Sequence, residues 1–395
     1  MTRILWIGGA AFGLAGLLLY GLGFINPNPV RWAAGSGLAI VVISRWLYCG
    51  SPIPKCEVTW CAITFCGYAA LSLLWSPDWR QGLNELHGIV VLAAVFIACL
   101  HLDRDVLGKA VTLTGTVAIL LSNVTTYIYP NINGGLGNRN FEAEFLMGLA
   151  PLAAVGVWIW RTSPIGYACL LAACTSLGQA FFFNASNAKY IGIAGALVLL
   201  LIVKRRYWSA AVIVSVSSLG IAVSERIWSS LLYRIEFTHN TFLMWLDHPI
   251  FGVGLGGYNY SYPLYQEAHL KFLGISAVNG LGQYAGAAHD EYVQALAMFG
   301  VVGAAILAAI IVLSLRSKLK RGPLEYAALI SVGAYAGMSA VGFPLQNAST
   351  ALIAVVALAL ASRRGPCGYL RRTDIVFDQE RSGGKTVQSR GYHRA

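Results

Sequence analysis

Apolar residues recur in long runs bounded by charges, prolines or polar clusters, near 4–24, 31–49, 58–75, 87–102, 106–127, 141–160, 165–183, 187–203, 208–223, 292–315, 324–343 and 348–362. A helix needs about 20 mostly apolar residues to cross the hydrocarbon layer of a bilayer, and most of these runs come near that length. The pattern predicts an all-α polytopic membrane protein with about 12 transmembrane helices. The runs at 187–203 and 348–362 reach only 17 and 15 residues, and predict helices that stand nearly upright or are shielded by neighbours. The first run is too long for the apolar part of a secretory signal and has no small-residue cleavage site, so it is read as a helix.

Composition points the same way. Of 395 residues, 57% are hydrophobic and 11% charged, against about 25% charged in soluble domains. A soluble surface cannot be built from so few charges. The net charge of +11 is then a matter of topology rather than of nucleic-acid binding. If the amino terminus is cytoplasmic, twenty-one of the 28 Lys and Arg residues fall on the inner side, among them Lys204, Arg205, Arg206, Arg316, Arg321 and those of the tail. Loops that stay inside carry such an excess, so both termini are expected in the cytoplasm. The outer side receives only Arg31, Arg80, Arg139, Lys189, Arg226, Arg234 and Lys271.

The chain accordingly divides into nine helices over 1–223, one large external loop over 224–291, three helices over 292–362 and a basic tail over 363–395. The tail is Gly-rich and low in large apolar residues, which predicts disorder beside anionic lipid headgroups. All eight cysteines lie within spans or on the inner side, and none pairs with a histidine at zinc-site spacing. No disulfide and no structural metal are expected.

Every connection is short except 224–291, and long ordered loops in compact folds tend to be functional. Four of the seven histidines fall there (His239, His248, His269, His289), with Arg226, Arg234 and several tyrosines. The segment 237–249, FTHNTFLMWLDHP, predicts a short amphipathic helix with an Asn/Thr start and a Pro stop. Next, Gly252, Gly254 and Gly257 match G-x-G-x-x-G formally. Without a surrounding βαβ unit they predict a tight turn, either packed on a neighbouring helix or cradling a phosphate with free N–H groups. His289 stands at the mouth of the run 292–315, where a histidine is either a boundary residue or a catalytic one. Arg139, Glu142, Glu144 and Lys189 begin spans on the same outer side. Charges just inside a span are expensive and usually line a pathway or site. Cations converging there suit a diphosphate leaving group.

Three blocks, GNRNFEAEFLMGLAPLAA, RIEFTHNTFLMWLDHPIFGVGLGGY and AHDEYVQALAMFGVVG, taken in this order and topology, resemble the O-antigen ligase and O-antigen polymerase superfamily of inner-membrane glycosyltransferases. The resemblance covers most of the chain. It implies a GT-C-like fold with one large periplasmic loop, and a transferase that needs neither metal nor cofactor. The donor it implies is a glycan on a polyprenyl (undecaprenyl) diphosphate, the acceptor a hydroxyl on lipid A core or another glycan, and the active site faces the periplasm. His289 carries over as the group that takes the acceptor proton, and Arg234 as a diphosphate ligand. Lys189 in SNAKY stands where the family usually has arginine in Ser-Arg-Gly. Arg139 and Arg226 are further candidates for the donor, with Glu144, Asn240 and Gly254 in support. Ligase is the leading expectation. A repeat-unit polymerase shares these residues, and a lipid-linked sugar transporter would also have twelve spans.

Overall fold

The structure is a computed structural model that describes residues 56–102, 104–128, 139–183, 188–223, 225–272, 288–316 and 321–362. Among these residues twelve α-helices follow one another: α1 (Glu57–Leu71), α2 (Trp79–His101), α3 (Arg104–Ile128), α4 (Arg139–Ile159), α5 (Pro164–Gly178), α6 (Ala188–Val203), α7 (Tyr207–Val223), α8 (Glu225–Asp247), α9 (Gly257–Phe272), α10 (Glu291–Leu315), α11 (Pro323–Ser339) and α12 (Ala348–Ala361). Among the described residues there is no strand.

Among the described residues, six helical segments are long and apolar enough to cross a membrane: Glu57–Leu74, Trp79–Leu100, Arg104–Ile128, Asn140–Ile159, Pro164–Phe182 and Glu291–Leu315. Lys189–Val203, Tyr207–Ser217 and Ala348–Ala361 are apolar but shorter. The protein is therefore a helical membrane protein. Ten of the predicted runs coincide with helices, while 4–24, 31–49 and the tail lie outside the described residues.

Polar side chains set the helix starts. Asp78 caps α2 by accepting from the Gln81 N–H at 3.0 Å, and Asn347 caps α12 by accepting from that of Ser349 at 3.1 Å. Ser163 precedes Pro164 at the first position of α5, where a missing N–H costs nothing. The most enclosed span is α4, 72% buried against 22% for α10. Leu146 and Leu152 of α4 join Ile119 and Leu329 in the main core. Between α6 and α11 small residues let the backbones meet. A Cβ at Gly195 would lie 2.7 Å from the Gly337 Cα, and one at Gly333 equally close to the Ala196 Cα. Without a hydrophobic drive between helices in lipid, such close approach is a main source of association.

Two features of the region 225–316 differ from expectation. The amphipathic helix predicted over 237–249 is a 23-residue helix, α8, that starts at Glu225. Its buried face carries Met244 into a cluster with Tyr258 and Tyr262 of α9. The other feature is a break in α10, where Gly300 is left-handed (φ 63, ψ −171). The segment 249–254 takes the place of the missing helical bonds. Val253 and Gly254 N–H donate to the Ala297 and Met298 carbonyls at 2.9 and 3.0 Å, and Val301 N–H donates to the Pro249 carbonyl at 2.9 Å. Tyr68 Oη donates to the Phe299 carbonyl at 2.6 Å. Irregular backbone at such a place survives in a membrane protein only when its polar groups are satisfied in this way.

Candidate functional site

The middle of α8, the turn before α10 and the end of α11 meet around one open cavity of about 370 Å³. Arg234, Ile235, Thr238, His239 and Phe242 come from α8, and His289 and Asp290 from the turn before α10. A narrower extension reaches Asn140, Glu144 and Phe343 and shares Arg234 and His289.

His289 is left-handed (φ 56), a conformation that costs a non-glycine residue about a kcal/mol or more and persists only where the surroundings impose it. Ala288 is held from both sides. Its N–H donates to Gln294 Oε1 at 2.9 Å, and its carbonyl accepts from Thr238 Oγ1 at 3.4 Å. On the other flank Asp290 Oδ1 caps α10, accepting from the N–H groups of Tyr292 and Val293 at 2.9 and 3.1 Å. The imidazole stacks on Phe237 (centroids 5.5 Å, 21°) and meets the edge of Phe343 at 4.8 Å. Burial first, and the nearby Arg234 charge second, push its pKa down to about 4. The ring is therefore neutral at physiological pH and has a lone pair to offer.

Arg234 Nη1 donates to the Val341 carbonyl at the end of α11. Burial lowers its pKa and Glu144 opposes that shift, and a guanidinium so placed remains a cation. Glu144 is 2% exposed, and its Oε2 has no hydrogen-bond partner. Glu291 ties the elements together, accepting from Ser339 Oγ at 2.5 Å and from the Leu345 N–H at 2.6 Å. A fixed cation and a neutral imidazole thus share one cavity. Such a cavity can bind an anion and take up a proton beside it.

The remaining candidates are placed elsewhere. Lys189 is buried, and its Nζ donates to the Ala180 carbonyl at 2.8 Å beyond the end of α5, with the Tyr190 ring 5.2 Å away. It does not line the cavity beside Arg234. The side chains of Arg139 and Arg226 lie outside the described residues. Asn240 is fully buried and does not line the cavity. Gly254 is left-handed (φ 85), and a Cβ there would meet the Ser72 carbonyl at 2.6 Å. The N–H groups from Gly252 to Gly257 all have acceptors, including Ser72 Oγ and Glu85 Oε2. The glycine turn is therefore a packing device, and the phosphate cradle considered for it would have no free donor. Among the described residues no three His, Cys, Asp or Glu side chains converge as metal ligands would, and the described cysteines are unpaired.

Sequence reasoning passed over Phe237, Phe343, Gln294 and Glu291. The signal was there for Phe237, four residues before Thr241 on the same helix as Arg234, but an apolar residue in an amphipathic helix reads as packing. Comparison of the chain with protein-family models, with characterised proteins and with solved structures gives no match.

Proposed function

We propose that this protein is a membrane glycosyltransferase that moves a glycan from a polyprenyl diphosphate carrier to an acceptor hydroxyl at the outer face of a bacterial inner membrane, in the manner of an O-antigen ligase. The observation that carries the reading is the meeting of Arg234 and His289 in one cavity at one end of the bundle. The helix ends bearing Arg161, Lys204, Arg205, Arg316 and Arg321 are the opposite ends of α4, α6, α10 and α11. That distribution supports an outward-facing cavity.

In this reading the acceptor oxygen attacks the anomeric carbon as the bond from that carbon to the diphosphate oxygen breaks. The acceptor proton passes to the neutral imidazole of His289, and the released diphosphate keeps its negative charge against Arg234. The geometry is a direct displacement, which inverts the anomeric centre. An anion bound at Arg234 also cancels part of the field that depresses the His289 pKa. Donor binding thus makes the imidazole a stronger base when it is needed.

The break in α10 is a feature of transporters, where unwound backbone holds the cargo. Here that backbone is spent on the segment 249–254 and on Tyr68, so the break does not favour transport. The test is glycan transfer in membranes from a deletion strain carrying wild-type or His289→Ala protein. Full-length glycan retained on the carrier with none on the lipid A core is the expected loss. Single repeat units on the core would instead mark a polymerase, and normal transfer by correctly inserted His289→Ala protein would sink the catalytic assignment.

A further inference from the structure

One amide oxygen joins the turn that carries His289 to the connection between α11 and α12. Gln294, near the start of α10, is buried and lines neither part of the cavity. Its Oε1 accepts from the Ala288 N–H at 2.9 Å and from Gln346 Nε2 at 2.8 Å. Glu291, three residues earlier on the same face, holds the end of α11 through Ser339 and the connection through Leu345. That connection reaches the cavity at two points. Val341 offers its carbonyl to Arg234, and the Phe343 ring lies 4.8 Å from the imidazole of His289. The Gln346 N–H closes back on the Phe343 carbonyl at 3.1 Å. The residue that Gln294 grips and the ring that walls His289 therefore belong to one short turn.

We propose that Gln294 is the positioning residue for His289, its one amide oxygen fixing the left-handed turn against the α11–α12 connection and so setting the imidazole in the cavity it shares with Arg234. A carbonyl oxygen has two lone pairs, and here donors from two distant parts of the chain take both. Ala288 is fully buried, so without that acceptor its N–H would bear the whole cost of desolvation. A left-handed histidine persists only where its surroundings impose it. Freed of the bond, the turn falls back toward negative φ and takes the imidazole out of its place between Phe237 and Phe343. Arg234 is touched far less, because Glu291 still anchors the connection that bears Val341. Loss of Gln294 therefore acts on the proton acceptor and spares the diphosphate ligand. The catalytic meaning of this role rests on the transferase reading, whereas the placement of the ring does not.

The test compares Gln294→Met, Gln294→Glu and Gln346→Leu in the full-length protein in lipid nanodiscs, with two readouts. One is transfer to lipid A core of the carrier-linked glycan extracted from the deletion strain. The other is the NMR signal of isotope-labelled histidine rings, His289 being the signal missing from His289→Ala protein. In the wild type, stacking on Phe237 sets that signal apart from those of exposed histidines. Gln294→Met fills the space without the acceptor. It is expected to move the signal toward the exposed range and to lower kcat about 10- to 100-fold, with the donor KM within about twofold. Gln294→Glu keeps an oxygen for both donors and should restore the ring signal and most of kcat, a rescue that loosened packing alone would not allow. Gln346→Leu removes one donor and leaves the Ala288 bond, so it should move the signal less and cost about threefold in kcat. A wild-type ring signal in Gln294→Met, or in Gln346→Leu should the first not insert, overturns the role, as does an equal loss in Gln294→Glu. A displaced ring together with full glycan transfer by His289→Ala protein supports the positioning and refutes the transferase reading alone.

Discussion

Each end of the bundle holds one arginine facing one glutamate from another helix, and the two pairs are built to different ends. At the basic end Arg104 Nη1 donates to Glu325 Oε1 at 2.7 Å, and its Nη2 to the Ser362 carbonyl at 2.9 Å. The second oxygen of Glu325 accepts from the Gly322 N–H at 2.8 Å. Both terminal nitrogens of Arg104 and both oxygens of Glu325 have partners, and the pair staples α3, α11 and the end of α12. At the cavity end Arg234 donates to a backbone carbonyl and only faces Glu144, whose Oε2 is left without a partner beside an open volume. The same two residue types make a closed staple in one place and an open, under-satisfied site in the other. Burial of charge without full pairing is costly, and where it persists next to a cavity it marks function more than stability.

The sharpest way to break this comparison is to remove the cavity's base. His289→Ala is expected to lower glycan transfer by about 10² to 10⁴-fold with thermal unfolding in detergent unchanged. A matching loss of stability would return His289 to the structural class. Next in size, Arg234→Lys keeps a charge but loses the planar fork, and transfer at limiting donor should fall at least about tenfold. Arg104→Lys should leave transfer per folded molecule intact.

Stability should show the mirror image. Glu325→Ala takes the carboxylate away from Arg104 and from the α11 cap, at a cost of about 1–3 kcal/mol. Glu144→Gln removes a poorly paired buried charge and should shift stability by less than about 1 kcal/mol. Equal costs in chemical denaturation would mean that the two pairs do the same job.

The smallest effect is on pH. Burial and Arg234 hold the His289 imidazole near 4, below its ordinary 6.5, so the free protein keeps a neutral base well into mild acid. The acid limb of kcat/KM should then lie closer to pH 4 than to 6.5, with activity lost as pH falls through it. Arg234→Gln removes the second of the two causes and should move the limb upward, which a pH–rate profile would show. An unmoved limb would assign the shift to burial alone.

The helices were readable because a bilayer demands long apolar runs and little else. Each run from 58–75 to 348–362 contains or overlaps a helix. The site was readable only in part. His289 and Arg234 stood out as charged or titratable residues in an apolar chain, and they meet. Lys189 looked equivalent by the same criterion, yet it caps a neighbouring helix end, because sequence spacing does not say which way a long flexible side chain turns. Gly300 gave no signal at all. Glycine in an apolar run ordinarily means close helix packing, and its left-handed backbone makes sense only once the segment 249–254, some fifty residues earlier, is seen supplying the missing bonds. The aromatic walls around His289 were hidden for a related reason, since Phe237 and Phe343 come from distant parts of the chain and neither carries a charge.

The interruption at Gly300 also sets how this protein meets its lipids. The unbroken stretch Val301–Leu315 rises only about 22 Å, against a hydrocarbon thickness of about 30 Å. A bilayer matched to that stretch alone would thin, or let its headgroups descend toward the level of the break. Tyr68, Trp75 and Phe251 cluster around that level, with Trp75 and Phe251 5.9 Å apart, as an aromatic girdle does at a membrane boundary. In the proposed transferase, the cavity just beyond would lie within reach of phosphates that never leave the leaflet. A membrane-bound carrier would arrive sideways by diffusion in two dimensions, whereas a soluble mimic of its headgroup would have to come down from the water.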